Sequence, residues 1–181
     1  MSLTKERHVL ELDSVARYTP WWQSTKRLKE EHDALTERLD HMKALVKSVY
    51  DEKDPARSRI TLKILKLRVN DFISALKEHS EWEERDVFPV IDLYFRRLMK
   101  PSITPSIWVM ERDHELAVLF VNSFVDAVDA LPEKSTLEQN RQTAAHLMQA
   151  CLILSEHFEL EEDLIYPLAD EMLTDIDYFY S

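Results

Sequence analysis

Apolar residues recur along this chain in alternating steps of three and four, in four separate stretches. The first carries Leu28, Leu35, Leu39, Met42, Val46 and Val49, and the second Leu62, Leu65, Val69, Phe72, Leu76 and Val87. The third carries Ile107, Met110, Ala117, Val121, Phe124, Val128 and Leu131, and the fourth Leu147, Ala150, Leu154, Leu164 and Leu168. Such a repeat is the stripe that an α-helix turns toward the middle of a bundle. The helix starts are marked as well. Thr19-Pro20, Asp54-Pro55 and Thr104-Pro105 each set a capping side chain before a proline, and Ser135 with Glu138 reads as a capping box. The pattern predicts helices over about 20–50, 55–88, 105–131 and 136–168. Pro89 and Pro167 are expected to end or kink the second and fourth. Ile91, Leu93, Tyr94, Phe95, Leu98 and Met99 give 90–100 the apolar side of a further short helix. Residues 1–19 read as an N-terminal extension with room for a short helix, 20–168 as the single domain, and 169–181 as a tail without clear period. Short connections make neighbours antiparallel, so the expected fold is all-α, an up-down-up-down four-helix bundle with short additional N-terminal and inter-helix segments.

Composition narrows the chemistry. The 181 residues include 23 basic and 34 acidic side chains, a net charge of −11, and no glycine. Without glycine there is no dinucleotide-binding turn, P-loop, nucleophile elbow or EF-hand loop, and tight β-hairpins are disfavoured. The acidic balance argues against nucleic acid as a partner. The longest apolar run, Leu116 to Val121, is too short for a bilayer, and Lys5, Glu6, Arg7 and His8 interrupt any signal-peptide core. Cys151 is the only cysteine, which excludes an internal disulfide and a cysteine-rich zinc site. A cytoplasmic setting, with no membrane partner, is the expectation.

The informative positions are the gaps in the stripes. His32, His79, Glu83, His114, His157 and Glu161 occupy seam positions where apolar residues belong. Six chosen residues would all fall on a two-in-seven seam by chance about once in two thousand trials. Imidazoles and carboxylates converging from four helices need compensation, since an unpaired buried carboxylate costs several kcal/mol or takes up a proton. Hydrogen bonds between His and Glu can satisfy one or two pairs, whereas a metal cluster satisfies all six residues. This donor set, free of thiolate, suits iron, with manganese or zinc as substitutes. Two divalent ions set four positive charges against two carboxylates, leaving room for an oxo or hydroxo bridge. The i,i+4 spacing in His79…Glu83 and His157…Glu161 puts each pair on one helix face. Glu84 and Glu162, one residue on, fall off the seam as surface or outer groups. Glu81 and Glu159 point away, and His8, His41 and His146 carry no assigned role.

The chain also repeats itself. EHSEWEERDVFP at 78–89 matches EHFELEEDLIYP at 156–167, and EEHDAL around His32 matches RDHELA around His114. Two helix pairs, each with one lone His and one His-x-x-x-Glu, imply a pseudo-twofold bundle.

Over about 28–168, the order His, His-x-x-x-Glu, His, His-x-x-x-Glu with its E-E-x-x-x-[FY]-P runs resembles the hemerythrin-like, or HHE cation-binding, family. The resemblance implies a non-haem di-iron site, with His32, His79, His114 and His157 as terminal ligands and Glu83 and Glu161 as bridges. It also implies a small diatomic molecule or peroxide as the partner at that site. The sequence departs from the oxygen-carrying members. Val118 stands where they have a second histidine, four after His114, and Glu162 stands where they have an aspartate. Loss of one imidazole leaves an open position on iron. That favours binding or sensing O2, peroxide, NO or iron, in oxidative or nitrosative stress or iron homeostasis, over reversible carriage. Two alternatives stand beside this reading. One is a ferritin-like di-iron oxidase, for which only Glu111-x-x-His114 matches; the other is a metal-free helical interaction module.

Overall fold

The structure, a computed structural model, describes residues 19–98 and 100–180. The N-terminal extension through residue 18 and Met99 lie outside them. Helix α1 spans Pro20–Asp51, α2 Pro55–Trp82, α3 Phe88–Arg97, α4 Thr104–Ala130 and α5 Leu137–Tyr180, with a π-helical turn Glu83–Val87 between α2 and α3. No strand occurs among the described residues. Helices α1, α2, α4 and α5 form the four-helix bundle. Around its axis α1 neighbours α2 and α5, and α4 neighbours the same two. No described helix is long and apolar enough to cross a membrane.

Two of the four expected caps form as read. The Thr19 and Asp54 side chains accept from the backbone N–H groups of Trp22 and Ala56, with proline at the start of each helix. The other two shift. Thr104 is itself the first residue of α4, which has no side-chain cap, and its hydroxyl donates to Asp92 Oδ1 instead. At α5 the capping box is Thr136 with Gln139. Thr136 Oγ1 accepts from the Gln139 N–H at 3.2 Å, and Gln139 Oε1 accepts from the Thr136 N–H at 2.8 Å. Ser135, expected in that role, is buried with its hydroxyl unpartnered.

Pro89 falls in the first turn of α3, after α2 has ended at Trp82, whereas Pro167 does not end α5. Ahead of Pro89 the backbone opens into the π turn, where the Phe88 N–H reaches the Glu83 carbonyl five residues back. That extra residue shifts the buried stripe. It steps from Glu83 to Val87 and Phe88 and then continues through Ile91 and Phe95, leaving Leu93 and Leu98 exposed. Helix α5 runs through Pro167 to Tyr180, so 169–180 is helix rather than a patternless tail. Past Glu161 its buried residues are Ile165, Ala169 and Met172, while the expected Leu164 and Leu168 are half-buried. A straight helix of 3.6 residues per turn drifts off a seven-residue repeat, which accounts for the one-residue displacement.

The core falls into two apolar clusters. One contains Leu35, Leu39, Met42, Leu65, Val69, Phe72, Leu76, Ala117, Phe124, Leu147 and Leu154. The other contains Leu28, Trp82, Phe88, Ile91, Phe95, Met110, Ile165 and Met172, and so includes α3 and the far half of α5. On every bundle helix the sequence passes from one cluster to the other across a histidine, and on α2 and α5 across His-x-x-x-Glu. The six polar seam residues therefore lie in one layer, sealed by hydrocarbon above and below.

The cap assignment has a direct check. Thr136→Ala should destabilise the fold by about 1 kcal/mol, whereas Ser135→Ala, which removes an unpaired buried hydroxyl, should be neutral or mildly stabilising. Urea denaturation midpoints at unchanged slope measure both, and the reverse order would return the box to Ser135.

Candidate metal centre

The layer is dry. His32, His157, Glu83 and Glu161 have 0% exposure, His79 2% and His114 5%. One ligand atom from each of His32, His79, Glu83 and Glu161 lies within 4.8 Å of the others. His114 and His157 adjoin this quartet as an edge-to-face pair with ring centroids 4.3 Å apart. His32 and His79 form a corresponding pair at 4.9 Å. Each pair comes from one of the two sequence repeats, so the layer has two imidazole poles. The carboxylates reach between them. Glu83 Oε1 is 2.7 Å from His79 Nε2 and 3.6 Å from His32 Nε2, while its Oε2 is 4.0 Å from His114 Nε2. Glu161 Oε2 is 3.1 Å from His32 Nε2 and 3.3 Å from His157 Nε2. All six residues that the sequence singles out are thus brought together. Exposed Glu81 and Glu159, exposed His41 and half-buried His146 stand apart from them.

These approaches have poor geometry for ring N–H to carboxylate hydrogen bonds. The Nε2 atoms of all four imidazoles and every carboxylate oxygen of Glu83 and Glu161 are buried without a well-formed hydrogen bond of that kind, even where a distance is short. Leaving so many polar groups unsatisfied in a core costs about 1–3 kcal/mol for each neutral group and more for each charged one. A cation among them would accept every one of these lone pairs, so the donor set fits a metal site.

Electrostatics within the layer point the same way. Burial and the negative charge of Glu161 hold the Glu83 carboxyl well above its ordinary value. Burial pushes Glu161 up too, but His157 and His32 outweigh it and hold this carboxyl well below the usual range. Burial lowers His32, yet Glu161 and Glu83 override it and raise the imidazole to about 9. Burial and the neighbouring His157 push His114 down to about 3. Without a metal, the layer therefore favours the protonated forms of Glu83 and His32 and the charged form of Glu161.

Sequence reasoning missed Glu31. Its Oε2 is 2.9 Å from His79 Nδ1, and its Oε1 accepts from Arg27 Nε at 2.7 Å. The Arg27 guanidinium in turn lies 4.1 Å over the Trp82 ring. Burial raises Glu31, but Arg27 and His79 outweigh it and hold its carboxyl below the ordinary value. An ionised carboxylate can only accept, so His79 Nδ1 donates the proton and Nε2 presents its lone pair to the layer. The available signal was positional, since Glu31 directly precedes His32 as Asp113 precedes His114. Phe158 and Tyr166 wall the other side of His32, with ring centroids 5.0 and 5.5 Å away.

The sequence profile of the hemerythrin HHE cation binding domain matches residues 23–169. The chain belongs to that family, and the match spans the bundle and every residue of the layer. No curated protein and no solved structure matches the chain.

Metal uptake should displace stored protons. At pH 7 His32, raised to about 9, is protonated, so loading the metal-free protein with ferrous salt should release at least about one proton per chain. Affinity should fall as pH drops further below that value. A pH-stat titration reads this directly, and uptake without proton release would contradict it. Because the unfolded chain cannot assemble the layer, free metal at a hundredfold excess over Kd should raise the melting temperature by about 5–10 °C. Superimposable melting curves with and without metal would show that the layer gains nothing from the ion.

Proposed function

We propose that the layer holds two iron ions and that the protein uses them to bind or sense a small oxidant or diatomic molecule, O2, peroxide or NO, or iron itself. The observation that carries this reading is the set of buried Nε2 and carboxylate oxygen atoms without partners, converging from four helices. In this assignment His32, His79, His114 and His157 would hold the ions by their Nε2 atoms, and Glu83 and Glu161 would supply the carboxylate donors. Imidazole with carboxylate and no thiolate suits iron, and manganese or zinc could occupy the same donors. Bound iron would supply redox change and an open coordination position for a small ligand.

The chain's own residues prepare that position. Val118, half-buried, provides no donor four residues after His114. Phe158 and the Tyr166 ring exclude water beside His32. The Tyr166 hydroxyl is buried without a partner, and burial with the nearby Glu162 and Glu161 charges keeps it protonated. It can therefore offer a hydrogen bond to a ligand without itself carrying charge. A surface pocket of about 150 Å³ between α1 and α2, lined by Arg27, Glu31, Arg38, Ala75 and His79, reaches the outer side of His79. A pocket of this size suits a diatomic molecule or peroxide and is below the range for drug-sized ligands.

The ferritin-like alternative finds little support. Glu111, its one matching carboxylate, is half-buried outside the layer, near Glu84. The metal-free alternative leaves the unpartnered atoms without compensation.

Anaerobic reconstitution with ferrous salt should give about two irons per chain by elemental analysis. Exposure to O2, peroxide and NO should then change the optical spectrum, and the reagent that does so at the lowest concentration identifies the ligand class. Glu83→Gln and Glu161→Gln should each lower the iron count and alter the near-ultraviolet bands. Full iron and unchanged bands in both variants would remove the bridging roles, and no iron in the unaltered protein would remove the function.

A further inference from the structure

Each inner histidine has a second ring nitrogen, and the carboxylates behind those nitrogens follow a pattern. Glu31 of α1 lies 2.9 Å behind His79 of α2. Glu84, in the π turn that follows α2, lies 3.9 Å behind His114 Nδ1 of α4. Glu162 of α5 lies 3.8 Å behind His32 Nδ1 of α1. Each of these three acids is a sequence neighbour of an inner residue. Glu31 precedes His32, and Glu84 and Glu162 follow Glu83 and Glu161. The approaches pass from α1 to α2, from the turn after α2 to α4, and from α5 back to α1, one step around the bundle each time. Glu31 makes a hydrogen bond, whereas the Nδ1 atoms of His32 and His114 are buried without a partner.

We infer that Glu31, Glu84 and Glu162 form an outer ring of positioning carboxylates, each orienting the imidazole of the next helix so that its Nε2 faces the metal layer. The inference deepens the metal reading above and rests on it. A helix gives the physical reason. A residue adjacent to a seam position is turned about 100° from it, toward the neighbouring helix rather than the axis. The E-E dipeptide of both repeats therefore supplies one carboxylate to the centre and one to the back of a neighbour's ring. A carboxylate accepting from Nδ1–H fixes the tautomer and makes Nε2 a better donor to metal. Glu31 already has hydrogen-bond distance and is braced by Arg27. Glu84 and Glu162 are 43% and 46% exposed, and about 1 Å of side-chain movement closes their contacts.

The test separates orientation from general charge. Ferrous affinity, by anaerobic chelator competition, should fall about 10–100-fold in Glu31→Leu and by smaller factors in Glu84→Leu and Glu162→Leu. Glu31→Gln, whose amide oxygen can still accept from Nδ1–H, should recover much of the loss. Glu81→Leu and Glu159→Leu remove equally acidic exposed groups on the same helical runs and should stay within about twofold of the unaltered protein. In the metal-free protein, imidazole ¹⁵N resonances should show His79 as the Nδ1–H form, and Glu31→Leu should convert it to a mixture. Losses equal to those of the control variants, an unchanged His79 tautomer in Glu31→Leu, or a loss confined to Glu31 would each overturn the ring. Absence of ferrous binding in the unaltered protein would overturn the metal reading, and the ring with it.

Discussion

The constraint on which this molecule depends is the presence of imidazoles and carboxylates in a core where water cannot reach them. Two apolar clusters, one built around Phe72 and Phe124 and the other around Phe88, Ile91 and Phe95, close on the layer from either side. Hydrocarbon packing supplies the driving force for the bundle, but it also removes the solvent that would otherwise satisfy His32, Glu83, His157 and Glu161. The fold and the site are thus in opposition until something with lone-pair affinity enters the layer. A bundle stabilised by packing alone could replace these residues with leucine and gain stability. That they interrupt the same layer on four helices ties the sequence to a ligand of that layer.

Much of this was legible in the sequence, and the reason is the simplicity of helical geometry. The seam residues from Leu28 to Val49 and from Leu62 to Val87 are all buried where the three-four pattern places them, as are His32, His79 and Glu83 between them. Periodicity works because a helix keeps one angular relation between residue number and direction. It stops working where that relation changes. The π turn adds a residue before Pro89, and beyond Glu161 the straight helix drifts by one position, so Phe88, Ile165 and Ala169 were not on the expected stripe. The cap of α5 was ambiguous for another reason: Ser135/Glu138 and Thr136/Gln139 are overlapping boxes, and burial of Ser135 selects the second.

Contacts between helices were the least legible. Nothing in the α1 pattern says that Glu31 meets His79, because a wheel drawn for one helix carries no information about its neighbour. Only the duplicated motif hints at it, by setting an acid next to each lone histidine. Membership in the hemerythrin HHE family supplies the cation-binding character of the domain, while the direction of each imidazole is set by residues that a family-level description does not distinguish.

The π turn leaves the two halves of the molecule unequal. At the layer both repeats supply His-x-x-x-Glu, yet one turn further on the first half passes through the π turn into the short helix α3 while α5 continues through Pro167. His79 borders a surface pocket beside Arg27 and Glu31, whereas the Nδ1 of His157 is buried without a partner. The two ends of the layer are chemically distinguishable from the outset.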